Sequence, residues 1–315
     1  MKLLVTGGAG YIGSHFCKAA AKAGHEVVVI DNLSTGHKEF VKWGPLVEGD
    51  LRDVDVVEST LREFRIEAVV HFAAKALVGE SMAHPELYYS NNTAGMVSLL
   101  EALRRADVTT LLFSSSCATY RVATAETMNE QHPQKPINPY GRSKLQCEEM
   151  ALDFHKLLGL RVGMLRYFNV MGQDPAGEVY EDHDPETHII PNILKALNNN
   201  KTFYVFGDDY PTPDGTCVRD YVDVTDLALV HLAALEQLKI NPLLISNVGV
   251  GRGYSVKEVF AAFESVFGQA PEIEVQKRRP GDPPLLVADA THFRSWYNKP
   301  MKTLEQSLAT LKPRS

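Results

Sequence analysis

Leu3-Leu4-Val5-Thr6-Gly7-Gly8-Ala9-Gly10-Tyr11-Ile12-Gly13 sets an uninterrupted apolar run directly before glycines 7, 10 and 13. The run reads as a strand buried on both faces, and residues 13–23 after it as a helix. Glycines in a strand-to-helix turn let the chain double back tightly. They also bring the first backbone N–H groups of the helix, at the positive end of its dipole, up to a pyrophosphate. A tight turn with no ligand would use the same residues; the strand–glycine–helix order is what favours a dinucleotide. Asp31 closes the next apolar run, Val27-Val28-Val29-Ile30. A carboxylate there accepts from both adenosine ribose hydroxyls and repels a 2′-phosphate, so NAD is expected rather than NADP. The same aspartate would also serve as a turn residue before Asn32.

Working outward, short apolar runs alternate with helical stretches. Residues 54–64, 85–105 and 140–158 have helical character, and Ala68-Val69-Val70-His71-Phe72, residues 109–113 and residues 161–165 read as strands. Such alternation predicts an α/β fold, a doubly wound parallel sheet (Rossmann) covered by helices on both faces. The rhythm breaks after Asn169. Residues 172–191 are polar and acidic and carry prolines, as in a long functional loop. Mixed elements follow: helices at 189–198, 224–238 and 256–267, and strands at 203–206 and 244–248. The expected division is an NAD-binding domain at 1–168, completed by part of 208–240, and a smaller C-terminal α/β substrate domain at 169–315.

Two groups of polar residues interrupt the apolar runs where chemistry is expected. Tyr140-Gly141-Arg142-Ser143-Lys144 puts a phenol and an amine four residues apart at a helix start, on one face. An ammonium beside a phenol favours phenolate and lowers the tyrosine pKa, which would make Tyr140 a general base. Phe113-Ser114-Ser115-Ser116 ends a strand, and ligands of open α/β sheets bind outside the carboxyl ends of strands. A hydroxyl there can relay a proton between Tyr140 and a substrate. Nothing matches the G-x-S-x-G elbow of serine hydrolases.

Composition sets the outer bounds. The chain has 315 residues, 44% of them hydrophobic, enough for a large core. With 32 Lys and Arg against 39 Asp and Glu, the formal charge is -7, which disfavours nucleic acid or an anionic membrane as the main partner. Cys17, Cys117, Cys147 and Cys217 form no C-x-x-C pair and no zinc spacing, so no metal is expected and a reducing cytoplasm is. The apolar start meets glycine too soon for a signal peptide, and no run is long enough to span a bilayer.

T-G-G-A-G-Y-I-G-S-H at 6–15, the serine run, Y-x-x-x-K and Arg166-Tyr167-Phe168-Asn169 resemble the extended short-chain dehydrogenase/reductase superfamily. Val78-Gly79-Glu80-Ser81, Asp182-His183-Asp184-Pro185-Glu186-Thr187-His188, Asp214-Gly215-Thr216-Cys217-Val218-Arg219-Asp220-Tyr221 and Arg279-Pro280-Gly281-Asp282-Pro283 narrow the resemblance to bacterial UDP-glucose (UDP-galactose) 4-epimerases. It runs from Lys2 to about Leu311. It implies that Tyr140 takes the proton of the sugar 4-hydroxyl while hydride passes from C4 to bound NAD, and that the 4-keto sugar turns over before hydride returns. Lys144 would hold the nicotinamide ribose, and Ser116 would be the catalytic hydroxyl. Tyr11, Ile12, Asn32, Asp50, Leu51, Phe72, Ala73, Asn91, Ser114 and Tyr167 would line the NAD cleft. Asn169, His188, Ile189, Val205, Phe206, Arg219, Arg279 and Asp282 would hold the UDP-sugar. Arginines suit a diphosphate because the guanidinium offers a bidentate fork. The resemblance further implies a homodimer that pairs helices 85–105 and 140–158.

The chain also departs from that pattern. Thr119-Tyr120-Arg121 stands for V-Y-G, Ala118 for a threonine, Asp223 for a histidine and Val170-Met171 for a smaller pair. A glycine replaced by Arg121 would forbid some backbone shapes. Leu286, four residues beyond Asp282, sits where a tyrosine crowds out N-acetyl groups in the family, so the N-acetylhexosamine pair enters as a second substrate. UDP-pentose or UDP-uronate epimerases and 4,6-dehydratases share the fold. The dehydratases carry an acid just after the catalytic hydroxyl, where this chain has Cys117, Ala118 and Thr119. A non-catalytic NAD-binding regulator is the remaining alternative, and it would be expected to have lost Tyr140 or Lys144.

Overall fold

The computed structural model describes residues 1–121, 127–279 and 282–311, so Pro280 and Gly281 of the R-P-G-D-P string lie outside the described residues. The chain begins β1 (Lys2–Thr6), α1 (Tyr11–Lys22), β2 (Glu26–Asp31), β3 (Leu46–Glu48), α2 (Val54–Glu63) and β4 (Ala68–His71). It continues with α3 (Val78–Ala83), α4 (Pro85–Tyr88), α5 (Ala94–Arg105), β5 (Thr110–Ser116), α6 (Pro139–Leu158) and β6 (Arg161–Tyr167). Then come β7 (Asn169–Met171), α7 (Ile189–Asn198), β8 (Phe203–Phe206), β9 (Val218–Asp223), α8 (Val224–Ile240) and β10 (Leu243–Val248). The chain ends with β11 (Gly253–Ser255), α9 (Val256–Phe267), β12 (Ile273–Gln276), β13 (Leu285–Leu286), α10 (Thr291–Trp296) and α11 (Leu304–Leu308).

Contacts divide the chain into two compact units. The first comprises Met1–Arg121, Pro133–Arg166 and Leu227–Ser246. Its seven strands run in the order β3-β2-β1-β4-β5-β6-β10, with parallel pairing from β3 through β5. Val, Ile and Leu fill these strands because both faces are covered, and Leu4, Val69, Leu111 and Val162 are fully buried. The order reverses between β1 and β4, the switch point at which such sheets bind ligands. The segment that completes this unit is Leu227–Ser246, which takes in the last part of 208–240 and runs beyond it, and the strand read at 244–248 joins the large sheet as β10. Apolar periodicity marks β10 as a buried strand but carries no information on which sheet it joins.

The second unit comprises Tyr167–Asp226, Asn247–Ser315 and, within the described residues, 127–132. β9 is its organiser: it pairs parallel with β7 and β13 and antiparallel with β11. β8 and β12 form a separate parallel pair. Met171, Ile193, Tyr254, Phe260 and Phe263 make up its core. The short strands β7, β11 and β13 were not foreseen, since two or three residues show no period. The helix expected at 85–105 is present but not uniform, because residues Tyr89–Thr93 widen into a π turn between α4 and α5.

Candidate active site

Local signals place the pieces in the first unit. Asn138 caps α6, accepting from the Gly141 N–H at 2.8 Å, and Pro139 stands at the first helical position, where its missing N–H costs nothing. Gly141 lets the start of α6 press on the chain just after β5: a Cβ there would lie 2.0 Å from the Ala118 carbonyl oxygen. That contact brings the helix start, with Tyr140, against the strand end that carries Ser116. Ser116 Oγ accepts from the Ala118 N–H at 3.1 Å. Lys144, one turn along, donates to the Ser114 carbonyl at 2.8 Å and lies 4.9 Å over the Phe113 ring. The three expected catalytic residues are therefore brought together.

Their electrostatics differ from expectation. Burial pushes Tyr140 up to about 12; the Ser116 side chain pulls the other way and is outweighed, while Cys117 adds to the rise. Lys144, whose ammonium donates to the Ser114 carbonyl, is not among the groups that shift the phenol. Burial likewise lowers Lys144 to about 8, against the opposing influence of Cys147 and Glu148. The expectation that Lys144 brings Tyr140 towards neutrality is thus corrected: desolvation penalises both charged forms, and it wins.

The cofactor residues gather around the switch point. Gly7 has φ +70, and a Cβ there would lie 2.6 Å from the Ala73 nitrogen, so only glycine fits between β1 and the chain leaving β4. The Phe72 and Ala73 N–H groups both donate to the Thr6 carbonyl, at 3.0 and 3.1 Å. Gly10 caps α1 without a side-chain bond, and Gly13 would meet the Gly7 oxygen at 2.2 Å if it carried a Cβ. Tyr11 and Ile12 open α1. These features suit a pyrophosphate at an uncapped helix start.

Asp31 does the work of a turn residue as well: its carboxylate accepts from the Ala9 N–H at 3.0 Å and the Leu33 N–H at 2.9 Å. Burial raises its pKa, with those two bonds opposing. Each oxygen keeps a second lone pair for a ribose hydroxyl. Asn32 donates to Asp50 at 3.1 Å, and Arg52 grips Asp50 through two bonds that hold its carboxyl well below the usual range. Leu51 is half-buried beside it. Asn91 lies in the π turn and donates to Asn92 at 3.0 Å; π turns often mark functional positions. Ser114 contributes only its carbonyl. Its hydroxyl is fully buried and donates to His231 Nε2 at 3.1 Å, since the other ring nitrogen donates to the Leu227 carbonyl.

The expected sugar-nucleotide residues all lie in the second unit, to which Tyr167 at the end of β6 also belongs. Arg219 on β9 is paired with Asp282, Nη2 to Oδ1, at 2.5 Å. Leu286 on β13 is its register partner. The Arg279 guanidinium lies 4.0 Å over the Phe206 ring of β8, next to Val205. Asn169 stands on β7, and His188 and Ile189 are the cap and first residue of α7.

The departures resolve into ordinary structure. Arg121 is not among the positive-φ residues, and its N–H donates to the Pro133 carbonyl at 2.8 Å, so no glycine shape is required there. Asp223 caps α8, accepting from the Thr225 N–H at 2.9 Å, and pairs with Lys302 at 2.9 Å. Met171 is core. Thr119 does not replace the hydroxyl missing at Ala118, because it is buried and donates to the Ser116 carbonyl.

A further network behind the catalytic residues escaped sequence reading. Glu148 on α6 is forked by Arg166 of β6 at 2.6 and 2.8 Å, and also accepts from Ser115 at 2.5 Å and Gln134 at 2.8 Å. Arg166 donates to the Tyr120 hydroxyl at 2.9 Å. The available signals were an arginine directly after the apolar run at 162–165 of β6 and a glutamate one turn beyond Lys144.

Comparison with known proteins agrees with this geometry. The family described as NAD dependent epimerase/dehydratase matches residues 3–249. A UDP-glucose 4-epimerase of Rhizobium meliloti is 47% identical over 289 residues, 91% of this chain and 88% of that one. The crystal structure of UDP-glucose 4-epimerase from Brucella ovis in complex with NAD is 45% identical, with a TM-score of 0.94 over 98% of this chain and 96% of that one. The UDP-Glc/GlcNAc 4-epimerase from Campylobacter jejuni is 39% identical, with a TM-score of 0.84 over 98% and 97%. A serine at a strand end, a tyrosine at the helix start packed against it, a lysine one turn on and a glycine-lined switch point are what such enzymes need, and the chain belongs to the NAD dependent epimerase/dehydratase family, among its UDP-glucose 4-epimerases.

Proposed function

We propose that the chain interconverts UDP-glucose and UDP-galactose by inverting C4 through a transient 4-keto sugar, with NAD as a tightly bound cofactor. The observation that carries this reading is the packing of the start of α6 on the end of β5, which puts Tyr140 and Ser116 on adjoining segments while Lys144, one turn along, donates to the Ser114 carbonyl. Bound NAD supplies a hydride acceptor, then a hydride donor, at the sugar C4. Gly7, Gly10 and Gly13 with the start of α1 would cradle its pyrophosphate, and Asp31 its adenosine ribose. Tyr140 takes the proton of the 4-hydroxyl and later returns one. Ser116 can bridge the phenol to the sugar oxygen. A phenol held at about 12 needs a positive charge nearby to act as a base at neutral pH. Lys144, at about 8, remains mostly protonated there. Arg219, Arg279 and Asp282 are read as the diphosphate and ribose holders.

Replacing Tyr140 with Phe tests the assignment. Turnover of UDP-galactose should fall about a hundred- to ten-thousand-fold while bound NAD, measured after denaturing the protein, stays at wild-type stoichiometry. Near-normal turnover removes Tyr140 from the chemistry.

The dehydratase alternative loses ground because no acid follows Ser116 and the Thr119 hydroxyl is engaged. The regulator alternative loses ground because the reacting groups are assembled. Leu286 beside Arg219 leaves more room than a tyrosine would, which supports use of the N-acetylhexosamine pair as well; the Campylobacter jejuni relative is a UDP-Glc/GlcNAc enzyme. A homodimer pairing α5 and α6 is supported by exposed Val97, Leu157 and Leu158 on those helices, and light scattering of the purified chain measures it directly. Four free cysteines support a reducing cytoplasm. No helix among the described residues is long and apolar enough to cross a membrane.

A further inference from the structure

Residues 172–188, the irregular stretch between β7 and α7, bring four ligand-type side chains to one point. His183 Nδ1 lies 3.3 Å from Glu181 Oε1 and 3.6 Å from Glu186 Oε2. His188 Nδ1 lies 2.9 Å from Glu181 Oε1 and 3.0 Å from Glu186 Oε1. One donor atom from each of the four residues lies within 4.8 Å of all the others. The carboxylates are the buried members, with side-chain exposures of 9% for Glu181 and 3% for Glu186.

A tetrahedral zinc site has Zn–N and Zn–O bonds of about 2.0–2.2 Å, which puts its ligands about 3.3–3.5 Å apart. The four nitrogen-to-oxygen separations straddle that edge length. Imidazole with carboxylate is also a donor set that first-row divalent ions accept. Two carboxylates buried side by side need two positive charges close by, which protonated His183 and His188 supply when no metal is bound. One divalent ion supplies both at a single point, and neutral imidazoles complete its shell. The expectation of no metal was argued from the cysteines; these ligands follow a Glu-x-His-x-x-Glu-x-His pattern in which half the donors are carboxylates.

We propose that Glu181, His183, Glu186 and His188 form a site for a divalent transition-metal ion, best matched to Zn²⁺, that pins residues 172–188 to the start of α7. Its role is structural, and the sugar chemistry does not pass through it. The test uses the full-length protein with its NAD, stripped with a chelator and titrated with Zn²⁺ alone by calorimetry, alongside Co²⁺ followed by visible absorbance. The expected result is one equivalent per chain at micromolar or tighter affinity, intense visible bands with Co²⁺, and a melting temperature that rises with Zn²⁺. His183→Asn and Glu181→Gln should each weaken uptake by more than a hundredfold, because even losing a partner outside the ligand shell costs about ten- to a hundredfold. Glu181→Gln keeps the side-chain volume, so it remains informative if His183→Asn does not fold. No stoichiometric uptake, or uptake that the soluble variants retain, overturns the proposal.

Discussion

Replacing Glu148 with Gln removes one charge from the pair that ties α6 to β6. Glu148 and Arg166 have side-chain exposures of 1% and 4%, and the carboxylate accepts four bonds, two of them from Arg166. Glutamine keeps the shape but turns an NH₂ group towards donors on Arg166 and Gln134, and it leaves a buried guanidinium without its counter-charge. Breaking a buried pair in this way costs about 3–5 kcal/mol. At about 2–4 °C per kcal/mol for a unit of this size, the melting temperature should drop by roughly 6–20 °C. The same carboxylate holds Ser115, the neighbour of Ser116, and sits one turn beyond Lys144. Turnover should therefore fall too, by up to about a hundredfold, as expected for a shift of order 1 Å in the catalytic geometry. Scanning calorimetry reads the first effect and a coupled UDP-galactose assay the second, with kcat falling more than KM rises. Converting the pair to apolar residues, Glu148→Leu with Arg166→Met, should recover most of the stability, since well-packed apolar replacements of buried pairs are often neutral or better. A loss below about 1 kcal/mol in the single variant, or a double variant no more stable than the single, refutes the reasoning.

Three further outcomes follow from the geometry. Gly141→Ala places a methyl 2.0 Å from the Ala118 carbonyl oxygen, so α6 must shift; stability should fall by about 1–3 kcal/mol and turnover with it, and an unchanged melting curve would show that the contact relaxes freely. Asp31→Ala removes the acceptor for the Ala9 and Leu33 N–H groups together with the ribose acid. Bound NAD should be lost more readily and the margin over NADP should narrow, whereas unchanged affinity for both dinucleotides would count against the cofactor assignment. Leu286→Tyr should cut turnover of UDP-N-acetylglucosamine by about ten- to two-hundredfold relative to UDP-glucose; equal handling of both by wild type and variant would show that Leu286 is packing rather than a gate.

Local pattern was enough to read much of this protein from its sequence. The apolar run before Gly7, the acid at the end of β2 and the Tyr140/Lys144 spacing each depend only on neighbours within a turn or a strand, so periodicity and turn chemistry report them. Tertiary structure decided what depends on distance and burial. It moved β10 from the second half of the chain into the first sheet, because a buried strand looks the same whichever sheet takes it. It pushed Tyr140 up to about 12 where the sequence suggested a lowered pKa, because desolvation is set by everything packed around a group and not by the residue four positions away. It paired Arg219 with Asp282, 63 positions apart, and forked Glu148 with Arg166 from an adjacent strand. It gathered Glu181, His183, Glu186 and His188 from what read only as a long polar, acidic loop. In each of these cases the residue types were visible in the chain, but the partner, and therefore the charge state and the chemistry, existed only once the chain had folded.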